Sequence, residues 1–315
     1  MKVIIPIAGR GTRVRPHTYA KPKPFLPLAG RLAIDYLLEP ILRMKPEEII
    51  IVHDLISKND VKRILPKRYP HVKFQFALQV DPLGTGHAIY MAKDLVKEGD
   101  DILIVYSDEI FFKDLSCVKE LTKNAEGIIF GIEVKDPEHY GVLAVENGKI
   151  TAVVEKSKNP PSNLANRGVF YFKNGLEFIS KYVKMVIDKG INDQGEYFLT
   201  DAFNFMIEDG KTLVAEKFDV ILDTGTVDKL LKANAYLLDG KVVKGENVNL
   251  ELSYLGKNVT VGDNTKLINC TVNNSIIGSN TVIEGLTIKD SVIGNNVYLR
   301  KNGNSYNIGD NCTIS

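Results

Sequence analysis

Two basic side chains, Arg13 and Lys23, stand ten positions apart just behind a short apolar run. Two carboxylates, Asp108 and Asp223, each close another apolar run further along the chain. Guanidinium and ammonium groups at this spacing can supply the positive charge that a spreading phosphoryl transition state demands. An Asp behind a buried strand stands where open α/β sheets place their ligand sites. Two such carboxylates can hold a Mg²⁺ ion that bridges phosphate oxygens, because magnesium favours a few carboxylates completed by phosphates and water. Asp223-Thr224-Gly225 would serve equally as a turn or a helix start. No Ser/His or Cys/His nucleophile pair is evident.

The glycines around Arg13 fit that reading. Ala8-Gly9-Arg10-Gly11-Thr12-Arg13 follows Lys2–Ile7, and glycine lets a backbone approach phosphate oxygens closely. A dinucleotide fingerprint is excluded because Val14 stands where its third glycine belongs, and a Walker loop because no Gly-Lys-Ser/Thr occurs here. The bulk properties exclude other classes. A formal charge of +1 gives no cause to expect nucleic acid or a membrane surface as partner. Three dispersed cysteines form neither a disulfide framework nor a zinc pattern, and Val3–Ala8 is too short for a signal peptide or a span, so a cytoplasmic location is expected.

The elements that must position these groups alternate. Strand-like runs at Lys2–Ile7, Glu48–Val52, Lys73–Ala77, Asp101–Tyr106 and Gly127–Val134 interleave with helical spacing at Ala33–Leu42, Thr85–Leu95 and Leu176–Ile187. Asn147-Gly148 predicts a hairpin between Gly141–Val145 and Lys149–Val154, and Gly168–Phe172 reads as a further strand. The pattern predicts an α/β domain over residues 1–240: a Rossmann-like mixed, mainly parallel sheet flanked by helices, with Val227–Leu238 its last helix. After Asp239-Gly240 the texture changes. An aliphatic-Gly-x-Asn unit begins at Leu255, Val261, Ile277, Ile293 and Ile308, at spacings of 6, 16, 16 and 15 residues. Aliphatic residues stacking inside, with Asn and Gly at tight corners, predict a short parallel β-helix over residues 241–315.

Read in full, the first stretch resembles the sugar-1-phosphate nucleotidyltransferases, whose signature Ala-Gly-x-Gly-Thr-Arg is followed by Pro-Lys-Pro; here these are Ala8 to Arg13 and Pro22-Lys23-Pro24. The likeness continues in order through Gln79, Gly84-Thr85-Gly86-His87-Ala88, Tyr106-Ser107-Asp108, Tyr140-Gly141-Val142, Glu155-Lys156, Asn166-Arg167-Gly168, Gly195-Glu196, Leu199-Thr200-Asp201 and Leu222-Asp223-Thr224-Gly225-Thr226. Single motifs are weak; the ordered set is specific. The family often carries a left-handed β-helix behind its catalytic domain, which the repeat resembles.

The resemblance implies a nucleoside triphosphate and a sugar 1-phosphate as substrates and Mg²⁺ as cofactor. Arg13, Lys23 and Asp108 would be the catalytic residues. Ala8, Gly9, Gly11, Thr12, Arg13, Gln79, Gly84 and Thr85 would bind the nucleotide. Gly141, Glu155, Lys156 and Asn166 would bind the sugar phosphate, and Asp108 with Asp223 the metal. A Gln amide can pair with uracil or thymine, so dTTP or UTP is favoured with glucose 1-phosphate. A mannose-1-phosphate guanylyltransferase, an N-acetylglucosamine-1-phosphate uridylyltransferase and a non-catalytic regulatory subunit are the alternatives. Some residues depart from the family pattern: Pro6-Ile7 for Leu-Ala, Ser107 for Gly, Ser157 for Pro, Gln194 for an Arg of some relatives, and Arg167 for a small residue. Arg167 would then restore the charge missing at position 194. All five histidines precede the repeat, so acyl transfer on the β-helix is not expected, and a structural or homo-oligomer-forming role is.

Overall fold

The structure, a computed structural model, describes residues 1–9, 11–300 and 306–314. The chain divides into two compact units: Met1–Gly9 with Glu39–Ile221, and Arg10–Leu38 with Leu222–Ser315.

The first unit is built on a nine-stranded sheet in the order Phe74–Leu78, Glu48–His53, Lys2–Pro6, Ile102–Val105, Leu164–Phe172, Gly127–Glu133, Leu213–Lys217, Lys149–Glu155, Gly141–Glu146. Seven strands run one way; Leu164–Phe172 and Lys149–Glu155 run against them. The fold is thus the expected mixed, mainly parallel α/β sheet. Its central strands are continuous aliphatic runs, as burial on both faces requires. Val3, Ile4, Ile5, Ile49 to Val52 and Ile102 to Val105 are all fully buried. An aromatic cluster seals one face: Phe172 stacks on Phe178 at 4.0 Å, and Phe203 lies 4.8 Å from Phe170. Each such ring contributes about 1.5–3 kcal/mol on burial.

The helix Leu199–Glu208 supplies Phe203, and a continuous helical stretch, Gly175–Glu177, Phe178–Val183 and Lys184–Lys189, supplies Phe178. The predicted helix over 85–95 is a short one, Thr85–Tyr90, followed by a 3₁₀ turn, Lys93–Leu95. The strand predicted from Gly168 begins at Leu164, and its register slips between Asn166 and Val169. That bulge turns the Asn166-Arg167-Gly168 segment out of the regular ladder.

The second unit contains the parallel β-helix and, packed with it, residues 10–38 and the helix Val227–Leu238. Three stacks of short parallel strands form its sides. One runs Val242–Lys244, Val259–Val261, Ser275–Ile277, Val292–Ile293, Asn307–Ile308; another Asn249–Glu251, Lys266–Ile268, Val282–Glu284, Tyr298–Leu299, Thr313–Ile314; the third Tyr254–Leu255, Thr271–Asn273, Thr287–Lys289. Asn258, Asn264, Asn274, Asn280, Asn296 and Asn311 sit at corners with φ between 42° and 62°, the left-handed region that Asn tolerates. The side-chain amides of Asn264 and Asn296 each donate to the Asn one coil on, at 3.2 and 2.9 Å. Val259, Leu267, Val272, Ile277, Ile283, Ile288, Ile293 and Leu299 fill the interior. The helix Val227–Leu238 is followed by the short strand Val242–Lys244, and packing groups the signature loop with the β-helix.

Candidate active site

The predicted residues of the first unit gather in two clusters at the ends of its strands. Ile7 and Ala8 both donate their amides to the Val52 carbonyl, at 2.7 and 3.0 Å. Pro6, in register with Val52, ends the strand, where its missing donor is tolerated. Gln79 follows the neighbouring edge strand and is 1% exposed. Its amide nitrogen lies 3.2 Å from the Gly84 carbonyl and 3.0 Å from His87 Nδ1, which ties it to the Gly84-Thr85 turn.

Gly84 has φ 99°, and a Cβ there would lie 2.8 Å from the Tyr197 carbonyl, so no other residue fits the turn. Thr85 Oγ1 accepts from Leu199 N at 3.2 Å, and Gly86 N donates to the Tyr197 carbonyl at 2.8 Å. The distant segment Glu196 to Leu199 is thus packed against the Gly84–Gly86 turn. Tyr106 joins it through a hydrogen bond with Thr85, and burial holds its phenol neutral far into alkali.

Register explains the second cluster. Val169 pairs with Val105, and Tyr106 N donates to the Gly168 carbonyl at 2.8 Å, which sets the Asn166–Gly168 bulge beside the segment leading to Asp108. Ala165 pairs with Val142, and Gly141 with Glu155. Gly141, Glu155 and Asn166 therefore meet. Asn166 Nδ2 donates to the Gly141 carbonyl at 2.8 Å, and a Cβ on Gly141 would lie 2.6 Å from Glu155 Oε1 and closer still to Asn166 Nδ2. Burial pushes the Glu155 carboxyl above the usual range, against a hydrogen bond from Thr200 Oγ1 at 3.2 Å. Lys156, with φ 43°, carries its ammonium 5.5 Å above the Phe198 ring. A carboxylate and an ammonium at one strand end, with an amide from the strand Leu164–Phe172, can bond sugar hydroxyls and pair with a phosphate.

Arg167 does not stand ready for a substrate phosphate as the sequence suggested. Its guanidinium donates to Glu109 Oε2 from Nη2 at 2.7 Å and from Nε at 3.3 Å, and it lies over Tyr140. Both partners are largely buried, so the pair braces the residue directly after Asp108. Sequence reasoning missed Glu109, Thr200 and Tyr197; only the spacing of the motifs that contain or adjoin them hinted at a role.

In the second unit, Gly11 takes φ 54° and Thr18 Oγ1 donates to its carbonyl at 2.8 Å, closing a loop around the 3₁₀ turn Thr12–Val14 that presents Arg13. Arg10 lies outside the described residues. Lys23 opens the 3₁₀ turn Lys23–Phe25, whose Pro24 and Phe25 are buried. Asp223 ends a short strand, accepts from Gly225 N at 2.6 Å and pairs with Lys229 at 2.7 Å. It precedes a helix capped by Thr226, which bears out the turn role that Asp223-Thr224-Gly225 offers. Among the described residues no group of three or more His, Cys, Asp or Glu could hold a metal alone. Asp108 belongs to the first unit and Asp223 to the second, and each offers hard carboxylate oxygens of the kind Mg²⁺ takes.

The Nucleotidyl transferase family model matches residues 2–240, and the chain belongs to that family. It is 34% identical over 242 residues to the bifunctional protein GlmU of Methanocaldococcus jannaschii, covering 76% of this chain and 55% of that protein. It is 31% identical over 253 residues to a bifunctional sugar-1-phosphate nucleotidylyltransferase/acetyltransferase of Sulfurisphaera tokodaii, covering 80% and 59%. The chain thus spans little more than half the length of these relatives. A Bacillus anthracis protein described as a glucose-1-phosphate thymidylyltransferase, crystallised with sucrose, superposes with a TM-score of 0.65 at 26% identity, covering 75% of this chain and 94% of that one. Among the described residues no helix is long and apolar enough to cross a membrane.

Proposed function

We propose that the chain transfers a nucleotidyl group from a nucleoside triphosphate, dTTP or UTP, to a sugar 1-phosphate, with glucose 1-phosphate favoured. A phosphate oxygen of the sugar attacks the α-phosphorus. The bond from that phosphorus to the bridging oxygen breaks, and pyrophosphate leaves with the electron pair. Gln79, Gly84 and Thr85 hold the base; Gly9, Gly11, Thr12 and Arg13 hold the triphosphate; Lys23 neutralises the α-phosphate and the incoming phosphate. Gly141, Glu155 and Asn166 orient the sugar, and Lys156 its phosphate. Asp108 and Asp223 would hold Mg²⁺, which supplies charge neutralisation at the phosphates when bound. The observation that carries the reading is the convergence of Gly141, Glu155 and Asn166, brought into one cluster by strand register. Association of copies through the β-helix and a cytoplasmic location belong to the same proposal, and light scattering tests the first.

A second reading keeps the reaction and takes N-acetylglucosamine 1-phosphate with UTP, within the sugar-1-phosphate nucleotidylyltransferase activity that the name of the Sulfurisphaera tokodaii relative gives. One experiment separates the two: pyrophosphate release with Mg²⁺ for dTTP, UTP, GTP and ATP against glucose, N-acetylglucosamine and mannose 1-phosphates. Lys23→Ala is the control and is expected to lose nearly all turnover. Highest turnover with GTP and mannose 1-phosphate sinks the base argument from Gln79. No turnover with any pair supports the regulatory-subunit reading.

A further inference from the structure

We propose that the last coil of the β-helix is a positioning device for the signature loop, and that Asp310 and Asn307 act on the reaction through that loop. Lys21 stands two residues before Lys23, and its ammonium lies 2.8 Å from Asp310 Oδ2 with both side chains largely buried. His17, 2% exposed, lies with Nε2 2.7 Å from Asn307 Oδ1. Asn307 Nδ2 donates to the Arg15 carbonyl at 3.3 Å. Gly309 leaves room for Pro16, since a Cβ there would meet Pro16 Cβ at 3.1 Å. Four residues of the segment 15–21 are therefore read by three residues of one coil, 289 to 293 positions further along the chain.

This is more than a covering contact. A loop with two glycines and three short 3₁₀ turns has no regular ladder of its own to fix it, and loops of that kind open locally at little cost. Arg13 lies two residues before Arg15, and Lys23 two residues after Lys21. The coil thus clamps the loop on the inner flank of each proposed phosphate ligand. Displacements of about 1 Å in such groups cost rate by up to about a hundredfold.

The test uses the full chain. Asp310 Oδ1 accepts the Asn295 amide at 2.8 Å within the coil stack, so Asp310→Asn keeps that bond and removes only the charge that Lys21 meets. Lys21→Met keeps the aliphatic stem. Hydrogen exchange at the amides of residues 11–26 should speed up about tenfold in either variant, while exchange in the interior coils stays unchanged. The inference rests on the nucleotidyltransferase reading for its kinetic arm. There kcat/KM for the nucleoside triphosphate should fall about tenfold in each single variant. It should fall no further in the double variant, because one contact is lost in all three. The KM for sugar phosphate should hold within about twofold. The exchange arm decides the clamp even if no substrate pair turns over, so failure of the functional reading is distinguishable from failure of the clamp. Unchanged exchange in Asp310→Asn overturns the inference, as do strictly additive kinetic losses.

Discussion

Glu155 places a carboxyl where the fold opposes its charged form. Burial raises its carboxyl pKa, and the unfolded chain has no such penalty. The sign follows: the unfolded state binds fewer protons than the folded one between the ordinary carboxylate value and the raised one. The Glu155 contribution to stability is therefore fully present at low pH and is lost as pH rises through the folded value. Glu155→Gln removes the charge and keeps an acceptor for Thr200. It should stabilise the fold at pH 7 by about 0.5–2 kcal/mol, read as a higher Tm, while raising the KM for sugar phosphate. A lower Tm would show that Glu155 is structural instead. Gly141 is the companion case. Gly141→Ala forces a methyl against Glu155 and Asn166, so sugar-phosphate affinity should fall at least about tenfold with little change in the KM for nucleotide. The types of these residues were legible in the sequence because motif order placed them together. What was not legible was Arg167. Its charge is matched by Glu109, 58 positions earlier, and only strand register reveals that pairing.

At the scale of elements, the strands were the most legible, since buried parallel strands write themselves as unbroken aliphatic runs. The helix Lys58–Arg68 was not, because it buries only Val61 and Leu65 and carries Pro66 inside. The loop from Gly11 to Phe25 was legible as chemistry and not as structure, for its partners lie in another part of the chain. One of those partnerships has a pH dependence. Burial lowers the His17 pKa, against the pull of Asn307 and Asp310 and with the repulsion of Lys21. The undocked loop therefore binds protons that the docked loop refuses. The contribution is intact above the ordinary imidazole value of about 6.5 and is lost as pH falls below it. Tm should drop between pH 7.5 and 5.5, and part of that slope should vanish in His17→Gln. His53, also buried and also lowered, contributes in the same direction. Identical slopes in the two proteins would remove His17 from the account.

At the scale of the whole molecule, the repeat makes residue 240 look like a place to cut, and packing argues otherwise. Asn234, fully buried on the helix Val227–Leu238, accepts from Ala29 N at 2.9 Å and from Thr260 Oγ1 at 2.8 Å, and donates to the Asn258 carbonyl at 3.2 Å. One side chain thus ties the turn of residues 27–32, the last helix and the second coil. Gly30 leaves its space to Val243, and His17, Arg15 and Lys21 find partners in the last coil. A chain ending at residue 240 loses Val243, Asn258, Thr260, Asn307 and Asp310 together. Its residues 10–38 would keep their sequence motif and lose what shapes it. Such a chain should cleave rapidly within residues 10–38 under limited proteolysis and lose at least about a hundredfold in nucleotide kcat/KM, although the nine-stranded sheet retains its core. Asn234→Ala in the full chain reports on the same junction without deleting anything. It leaves buried donors at Ala29 and Thr260 unpaired, at a cost of roughly 2–4 kcal/mol by chemical denaturation, and should speed exchange in the loop and in the second coil together. A 1–240 chain with a protected loop and undiminished turnover would show that the β-helix is dispensable to the site. Exchange in Asn234→Ala confined to one side of the junction would show that loop and coil are not coupled through it.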